Sequence, residues 1–265
     1  MVERLYSLPV AWMAVAIFAG TYAAAAGICW AVTRLAVDDR ARAFKALSPG
    51  MLPPIGIIFG LLVAFVAAQV WSDFDRARVA VASEASALRG VVLLASNFPK
   101  DDEARLRALV ARHIDAAVRQ EWPAMAVQHA SLTMPPAPLV EALQRTLALT
   151  PANDGQRIAQ QEIADALQSA LDARRQRIVI SQSTVNGVKW TGLLLQALCA
   201  LIAIALVHSD NRLTCSIALA LFSTGIALSI LLIASHNRPF TGDISIGPEI
   251  LVQVMPEGVP PDTKP

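Results

Sequence analysis

The stretch Met51–Trp71, MLPPIGIIFGLLVAFVAAQVW, contains no Asp, Glu, Lys, Arg or His. Three further stretches share this property: Val10–Val32, Trp190–Val207 and Leu213–Ala234. A helix needs about 20 mostly apolar residues to cross ~30 Å of hydrocarbon, and a charge at its centre is costly. The sequence therefore predicts an integral membrane protein with four transmembrane helices. The lipid bilayer is one of its predicted partners.

The composition agrees with this prediction. Hydrophobic residues make up 55% of the chain and charged residues only 16%, against about a quarter in an average soluble protein. The net charge is +1, and the ionised side chains are segregated, since all of them lie outside the four apolar stretches. No strongly basic patch is present in the sequence, which argues against nucleic acid as a partner.

The four spans form two pairs around a long charged middle. We predict a first transmembrane hairpin at 1–71 (spans 10–32 and 51–71) and an extramembrane helical domain at 72–187. A second hairpin follows at 188–235 (spans 190–207 and 213–234), and a tail at 236–265 is predicted to be disordered from about residue 256. A cleaved signal peptide is the alternative for the first span, because Arg4 and the run Ala23–Ala25 fit that pattern. The apolar stretch continues to Val32, however, which favours a retained span.

The middle of the chain has the spacing of helices, and the predicted fold class is all-α. Strand patterns are nearly absent, whereas apolar residues recur every three or four positions. The second span should continue as one helix until Pro99, and a further helix should begin at Asp101 and end before Pro123. Two more helices are predicted at 139–149 and at about 156–183.

The distribution of positive charge gives the orientation. Connectivity places both termini and the middle domain on one side of the membrane. The loop 33–50 is basic, but so are the flanks of the middle domain, which carry Arg76, Arg78, Arg174, Arg175, Arg177 and Lys189. Positions close to the spans slightly favour a cytoplasmic middle domain in a bacterial inner membrane.

Enzyme signatures are missing from the sequence, so we predict no catalytic residue, no cofactor and no metal site. The cysteines, Cys29, Cys199 and Cys215, all lie in apolar spans. His113 lies beside apolar residues and is predicted to be an interface histidine. A metal site at Asp73, Asp75 and Glu84 is conceivable, but a solvated helix face is the favoured interpretation of these charges.

The spans also lack the buried Asp, Glu or His that proton-coupled carriers usually hold. In the second span, Ile57, Leu61 and Phe65 recur at four-residue spacing. Such an apolar stripe can form a gate that closes by dewetting if several copies surround an axis. Ordinary helix packing or lipid contact is the alternative explanation of the stripe.

Four short segments carry a resemblance to a known family. They are Trp71-Ser-Asp73-Phe-Asp75-x-Ala-Arg78, Glu84-Ala85, Glu121-Trp122-Pro123 and Arg238-Pro239-Phe240-Thr-Gly242. Together they resemble the bacterial bestrophin-like domain family of four-span membrane proteins, over nearly the whole chain. The last segment is the most specific; the family usually has an acidic residue before its arginine, where this chain has Asn237.

The resemblance implies a distant likeness to bestrophins, which are pentameric anion channels with cytoplasmic termini and an apolar neck lined by the second span. Ile57-Ile-Phe-Gly60-Leu61 is similar to that neck segment, which places Ile57 and Leu61 at the pore, and spacing adds Phe65. Bestrophins carry larger aromatic side chains there, and their acidic calcium-binding cluster has no counterpart in this sequence.

Two functional hypotheses follow from these observations. The first is a homo-oligomeric channel for inorganic anions, with the second span lining the pore. The second is a non-conducting, membrane-anchored scaffold or sensor that works through residues 72–187. A lipid-active enzyme is a distant third, because no nucleophile and base are recognisable.

Overall fold

A computed structural model describes residues 9–35, 50–133 and 135–256, and within these ranges the fold is all-α, as predicted, without a β-strand. The loop at 36–49 and the tail from 257, on which the predicted disorder falls, lie outside the described residues. The helices are α1 Val10–Leu35, α2 Leu52–Leu94, α3 Lys100–Ala116, α4 Trp122–Ala126, α5 Ala137–Ala148, α6 Asp154–Ser181, α7 Gly187–Val207, α8 Arg212–His236 and α9 Glu249–Val252.

Four of these helices, α1, α2, α7 and α8, are long and apolar enough to cross a membrane. Trp12 and Trp30 lie near the two ends of α1, where they are 65% and 62% exposed. At 1.5 Å rise per residue they are spaced by about 27 Å, close to the thickness of the hydrocarbon core. The Arg34 guanidinium lies 5.1 Å from the Trp30 ring centre, where headgroups accommodate a charge.

The chain divides into two compact units. The first unit contains the described parts of residues 1–72, with 184–238 and 242–244. In it α1 packs against α8 and α7, and α7 packs against α8. Its core includes Phe59, Leu201 and Leu219, whereas many of its large apolar side chains are exposed. That outward distribution is expected when lipid is the solvent.

The second unit contains residues 73–183, 239–241 and the described part of 245–265. It consists of the second part of α2 with α3 to α6 and α9, around a core in which Leu88, Ile114 and Leu167 are fully buried. Helices α5 and α6 begin and end within about two residues of the predicted positions, and α3 begins within one, which is the usual uncertainty of helix ends.

One predicted helix end is wrong. The helix that begins at Lys100 does not stop before Pro123 but passes through a π-helical turn, Ala117–Glu121, into α4. Pro123 stands in the first turn of α4. At that position the missing N–H of proline is tolerated, and the wider π turn changes the register of the helix just before it. Glu121 and Trp122 are therefore held on a continuous helix rather than in a loop.

Candidate functional site

Arg177 is the centre of a buried polar cluster in the second unit. Its side chain is fully buried on α6, and it meets the carboxylate of Glu84, on α2, with two parallel hydrogen bonds. Nε donates to Oε2 at 2.8 Å and Nη2 donates to Oε1 at 3.1 Å. Nη2 also donates to Oε2 of Glu121 at 2.8 Å. A planar guanidinium suits this geometry, because its donors match the two carboxylate oxygens.

Two further side chains complete the cluster. Arg174, one turn before Arg177, contacts the other oxygen of Glu121 through Nε and Nη2, both at 2.7 Å. His113, on α3, bonds through Nε2 to Oε1 of Glu84 at 2.8 Å. We call Glu84, His113, Glu121, Arg174 and Arg177 the arginine cluster. Two carboxylates balance two guanidiniums, and every carboxylate oxygen has a donor, which is the condition for tolerating buried charge.

Glu84 and Arg177 keep their charges at neutral pH. Glu84 lies beyond Trp71, outside the apolar part of α2. Burial alone would raise the pKa of its carboxyl, but the charge of Arg177 and hydrogen bonds from His113 and Arg177 outweigh burial and lower the pKa from 4.5 to about 2. For Arg177, burial opposes the charge, yet the two carboxylates raise the pKa of the guanidinium further above its usual value.

Aromatic side chains and the segment after α8 cover the cluster. The Trp122 ring centre lies 4.5 Å from Cζ of Arg177, in cation–π distance, and Phe240 meets Trp122 edge to face at 6.0 Å. The Trp122 indole donates to the Ile246 carbonyl at 3.0 Å, and Thr241 Oγ1 donates to the Ala126 carbonyl at 2.7 Å. The residues that follow the last span are thereby fixed against α4.

Four residues from three of the resembling segments meet at this site. Glu84, Glu121, Trp122 and Phe240 are far apart in the chain, and all of them are arranged around Arg177 and its Trp122 cover. From the sequence, Arg174 and Arg177 were predicted only to be positive charges beside the membrane. Their spacing could have located them, because they continue the buried three-and-four repeat of α6 that starts at Ile163, Leu167 and Ala170.

The interpretation of Glu84 as part of a solvated helix face was wrong. Glu84 lies three residues after Val81 and four before Leu88, on the stripe of α2 that faces the core, and it is completely buried. Asp73 instead pairs with Arg76, about three helical turns before Glu84, and Asp75 is exposed. In the described ranges, no group of three or more His, Cys, Asp or Glu side chains could hold a metal ion.

The other residues of the resembling segments have local positions. Trp71, Arg78 and Pro123 are exposed, Pro239 is buried and Arg238 is half-buried. Gly242 has a φ of 87°, a left-handed backbone conformation in which a side chain is strained, so glycine is required by the turn.

The residues around this turn also make contacts within the first unit. Asn237 accepts a hydrogen bond from the Val185 amide through Oδ1 at 2.8 Å. Oδ2 of Asp243 accepts from the Val10 amide at 2.9 Å, which places a negative charge at the N-terminus of α1.

The predicted pore residues lie on an outward face of α2 in the first unit. Ile57, Leu61 and Phe65 are 70%, 55% and 67% exposed, which is unusual for large apolar side chains unless lipid or another protein surface covers them. Four small residues are also exposed on this part of α2. Gly56, Gly60 and Ala64 each precede one of the predicted pore residues by one position, and Ala68 follows Phe65 by three.

The model of the bestrophin-like domain matches residues 19–251. The chain belongs to the bestrophin-like family. Crystal structures of a bacterial bestrophin homolog from Klebsiella pneumoniae have the same fold, as three examples show. Two single-substitution variants superpose with TM-scores of 0.70 and 0.69, at 12% and 14% identity. They cover 91% and 89% of this chain and 96% and 95% of their own.

A third structure of the Klebsiella homolog gives a TM-score of 0.69 at 13% identity, over 91% of this bestrophin-like chain and 95% of that chain. No curated protein matches the sequence. The comparisons therefore establish the family and a four-span membrane fold, and the similarity to the solved structures is a similarity of fold.

Proposed function

We propose that this bestrophin-like protein is a homo-oligomeric channel for inorganic anions in a bacterial inner membrane, with α2 lining the pore. Its family is named after the bestrophins. The resemblance described above implies a likeness to these pentameric anion channels. The family supports the class of function, and the outward face of α2 is the observation that supports the choice of pore-lining residues.

That face has the properties of a narrow apolar passage. Ile57, Leu61 and Phe65 are spaced by four residues, so they project from one side of α2 at successive turns. Each is more than half exposed in the single chain. When copies of the helix surround an axis, such side chains form stacked apolar rings that exclude water when narrow and conduct when widened. One chain supplies a single wall, so the proposal requires several subunits.

A stripe of small residues supports close assembly. Gly56, Gly60, Ala64 and Ala68 follow one another at four-residue spacing on the exposed side of α2. A side-chain carbon added at either glycine would meet no atom of the chain within 4 Å. Small residues at this spacing allow helix backbones from neighbouring subunits to approach closely in a membrane. Five subunits are the number that the bestrophin resemblance implies.

The charge distribution supports anions and a cytoplasmic middle domain. The apolar part of α2 carries no carboxylate that would attract cations to the passage. Arg76, Arg78 and Lys189 flank the apolar stretches 51–71 and 190–207, at the ends that adjoin residues 72–187. Positive residues near spans favour the cytoplasmic side.

The test is a current measurement on purified oligomer in planar bilayers. Unitary anion currents are expected for the unaltered protein, and Leu61→Ala should increase their amplitude or open probability because it widens the apolar passage. Leu221→Ala is the matched control, since Leu221 is a leucine of α8 that is 72% exposed and carries no pore assignment. Equal effects of the two substitutions would contradict the pore assignment to α2.

The scaffold or sensor hypothesis predicts a different outcome of the same experiment. Folded oligomer that stays silent in bilayers under voltage and anion gradients would overturn the channel proposal. Recovery of a specific partner by crosslinking through residues 72–187, together with silent bilayers, would support the scaffold. Both measurements use the same full-length preparation, so they can be compared directly.

A further inference from the structure

Two cysteines from different transmembrane helices lie close together in the first unit. The sulfur of Cys29, on α1, is 3.4 Å from the sulfur of Cys215, on α8, and 3.8 Å from the hydroxyl oxygen of Ser216. Both are free thiols in this structure, Cys29 half-buried and Cys215 fully buried. The third cysteine, Cys199 on α7, is exposed.

The distance between the two sulfurs is suitable for a covalent bond after a small movement. A disulfide has an S–S length of about 2.05 Å, so the sulfurs need to approach by about 1.3 Å. Rotation about the Cα–Cβ bonds moves a sulfur by this amount without moving a helix. Packing of α1 against α8 through residues such as Ala25, Val32 and Leu219 keeps the two thiols side by side.

The pair lies near one end of both helices rather than at the middle of the membrane. Cys29 precedes Trp30, whose ring contacts the Arg34 guanidinium, and these side chains mark the headgroup level. Cys215 is in the first turn of α8, whose N-cap Asn211 accepts hydrogen bonds from Leu213 and Thr214. Cys29 is therefore the thiol that an external reagent meets first, because it is partly exposed whereas Cys215 is fully buried.

We propose that Cys29 and Cys215 form a reversible disulfide that joins the first span to the fourth, in exchange with a small external disulfide. The thiolate of Cys29 attacks one sulfur of the external disulfide and forms a mixed disulfide, releasing one external thiol. The Cys215 sulfur then attacks the Cys29 sulfur, forms the internal bond and releases the second external thiol. Two protein thiols are oxidised, one external disulfide is reduced to two thiols, and the two protons leave with them.

The bond has a structural consequence that goes beyond the proposed channel function and does not depend on it. Cys29 belongs to the first pair of spans and Cys215 to the second, so the disulfide links the two hairpins covalently. Separation of α1 from α8 is then prevented while the bond exists, and reduction restores that freedom. The pair is thus a modification site in which the partly exposed thiol of Cys29 reacts first and the buried thiol of Cys215 reacts second.

The experiment uses the full-length protein in detergent, reduced with dithiothreitol and then exposed to oxidised glutathione. Intact mass should fall by two hydrogens, and a peptide pair containing Cys29 and Cys215 should appear and vanish again on reduction. These mass measurements are made in a Cys199→Ser background, because Cys199 is exposed on α7 and can itself react with glutathione; this variant should still form the Cys29–Cys215 pair. Cys29→Ser should abolish the reaction with glutathione at this site.

Cys215→Ser separates the two steps. It should accumulate the mixed disulfide between glutathione and Cys29, seen as a stable mass increase of one glutathionyl group. The proposal is overturned if the unaltered protein keeps both thiols reactive toward maleimide after oxidation, or if the linked peptides contain Cys199. Size-exclusion chromatography of each variant shows that the fold is kept, and a variant that fails this check is replaced by the corresponding alanine substitution.

Discussion

The two units of this protein place similar side chains in opposite directions. In the first unit, large apolar residues such as Ile57, Trp30 and Leu221 are exposed on the surface. In the second unit, Leu88 and Ile114 are buried in the core. The same helical period is used in both, so the difference lies in the surrounding medium, since lipid accepts apolar surface and water rejects it.

Charge follows the same contrast. The apolar parts of the four spanning helices contain no ionised residue, whereas the second unit buries Arg177 completely among two carboxylates. The presence of such a cluster does not by itself show that it stabilises the fold, because replacing all of its members by apolar residues can leave the stability unchanged. Removal of a single member is costly, since it leaves its partners buried and unpaired. The arginine cluster is therefore best understood as fixing one arrangement of α2, α3, α4 and α6.

The largest expected effect is in the second unit. Arg177→Met should destabilise it by about 3–5 kcal/mol, because Glu84 loses both bidentate contacts and remains charged in the core. Hydrogen exchange of peptides from α3 and α6 measures the loss. Arg175→Met is the matched control: Arg175 is exposed and pairs with exposed Asp172, so its change should stay within about 0.5 kcal/mol.

A double variant sharpens this result. Adding Glu84→Gln to Arg177→Met should recover part of the lost stability, because the unpaired buried charge is removed. If the double variant is as unstable as the sum of the two single variants, the cost arises from lost packing and the electrostatic explanation is wrong.

A second effect concerns acid. The pKa of Glu84 is about 2 in the folded protein and 4.5 in the reference state, so the folded state binds this proton less readily. The stabilisation is complete above pH 4.5 and is lost as the pH falls toward 2, with a size on the order of 3 kcal/mol. Hydrogen exchange protection of α6, measured between pH 6 and pH 3 after correction for intrinsic rates, is the readout. The first unit should show no such loss.

Other carboxylates contribute to the same pH range and define the control. A hydrogen bond from Lys100 lowers the pKa of Glu103, and one from Arg145 lowers the pKa of Glu141. The variant Glu84→Gln keeps these two groups but lacks the Glu84 carboxyl. Its free energy of unfolding should therefore fall less steeply as the pH decreases, because one group fewer takes up a proton on unfolding. An unchanged slope would show that Glu84 does not titrate as described.

The smallest expected effect tests what the two units have in common. Asn153 caps α6 in the second unit and Asn186 caps α7 in the first, each accepting an amide hydrogen bond at 2.9 Å. Both are exposed, so Asn153→Ala and Asn186→Ala should each cost about 1 kcal/mol in local hydrogen exchange. A cost confined to one unit would mean that capping depends on the surrounding medium as well as on local backbone geometry.

Sequence reasoning succeeded where the signal is local and repeated. The four apolar stretches identified the spanning helices, and the three-and-four spacing of apolar residues identified the helices of the middle domain. It failed at Pro123, because a π turn of α3 is set by packing rather than by propensity. It also assigned Glu84 to a wet face, because the presence of a buried arginine 93 positions later in the chain cannot be inferred from charge alone.

The sequence by itself determined the solvent of each helix, since side-chain hydrophobicity is a local property and four uncharged stretches admit only a membrane. The tertiary structure decided which distant residues meet: Arg177 with Glu84 and Glu121, Trp122 with Phe240, and the sulfur of Cys29 with that of Cys215. These meetings depend on how helices pack across long stretches of chain. Specific contacts between side chains on different helices exist only once that packing has formed.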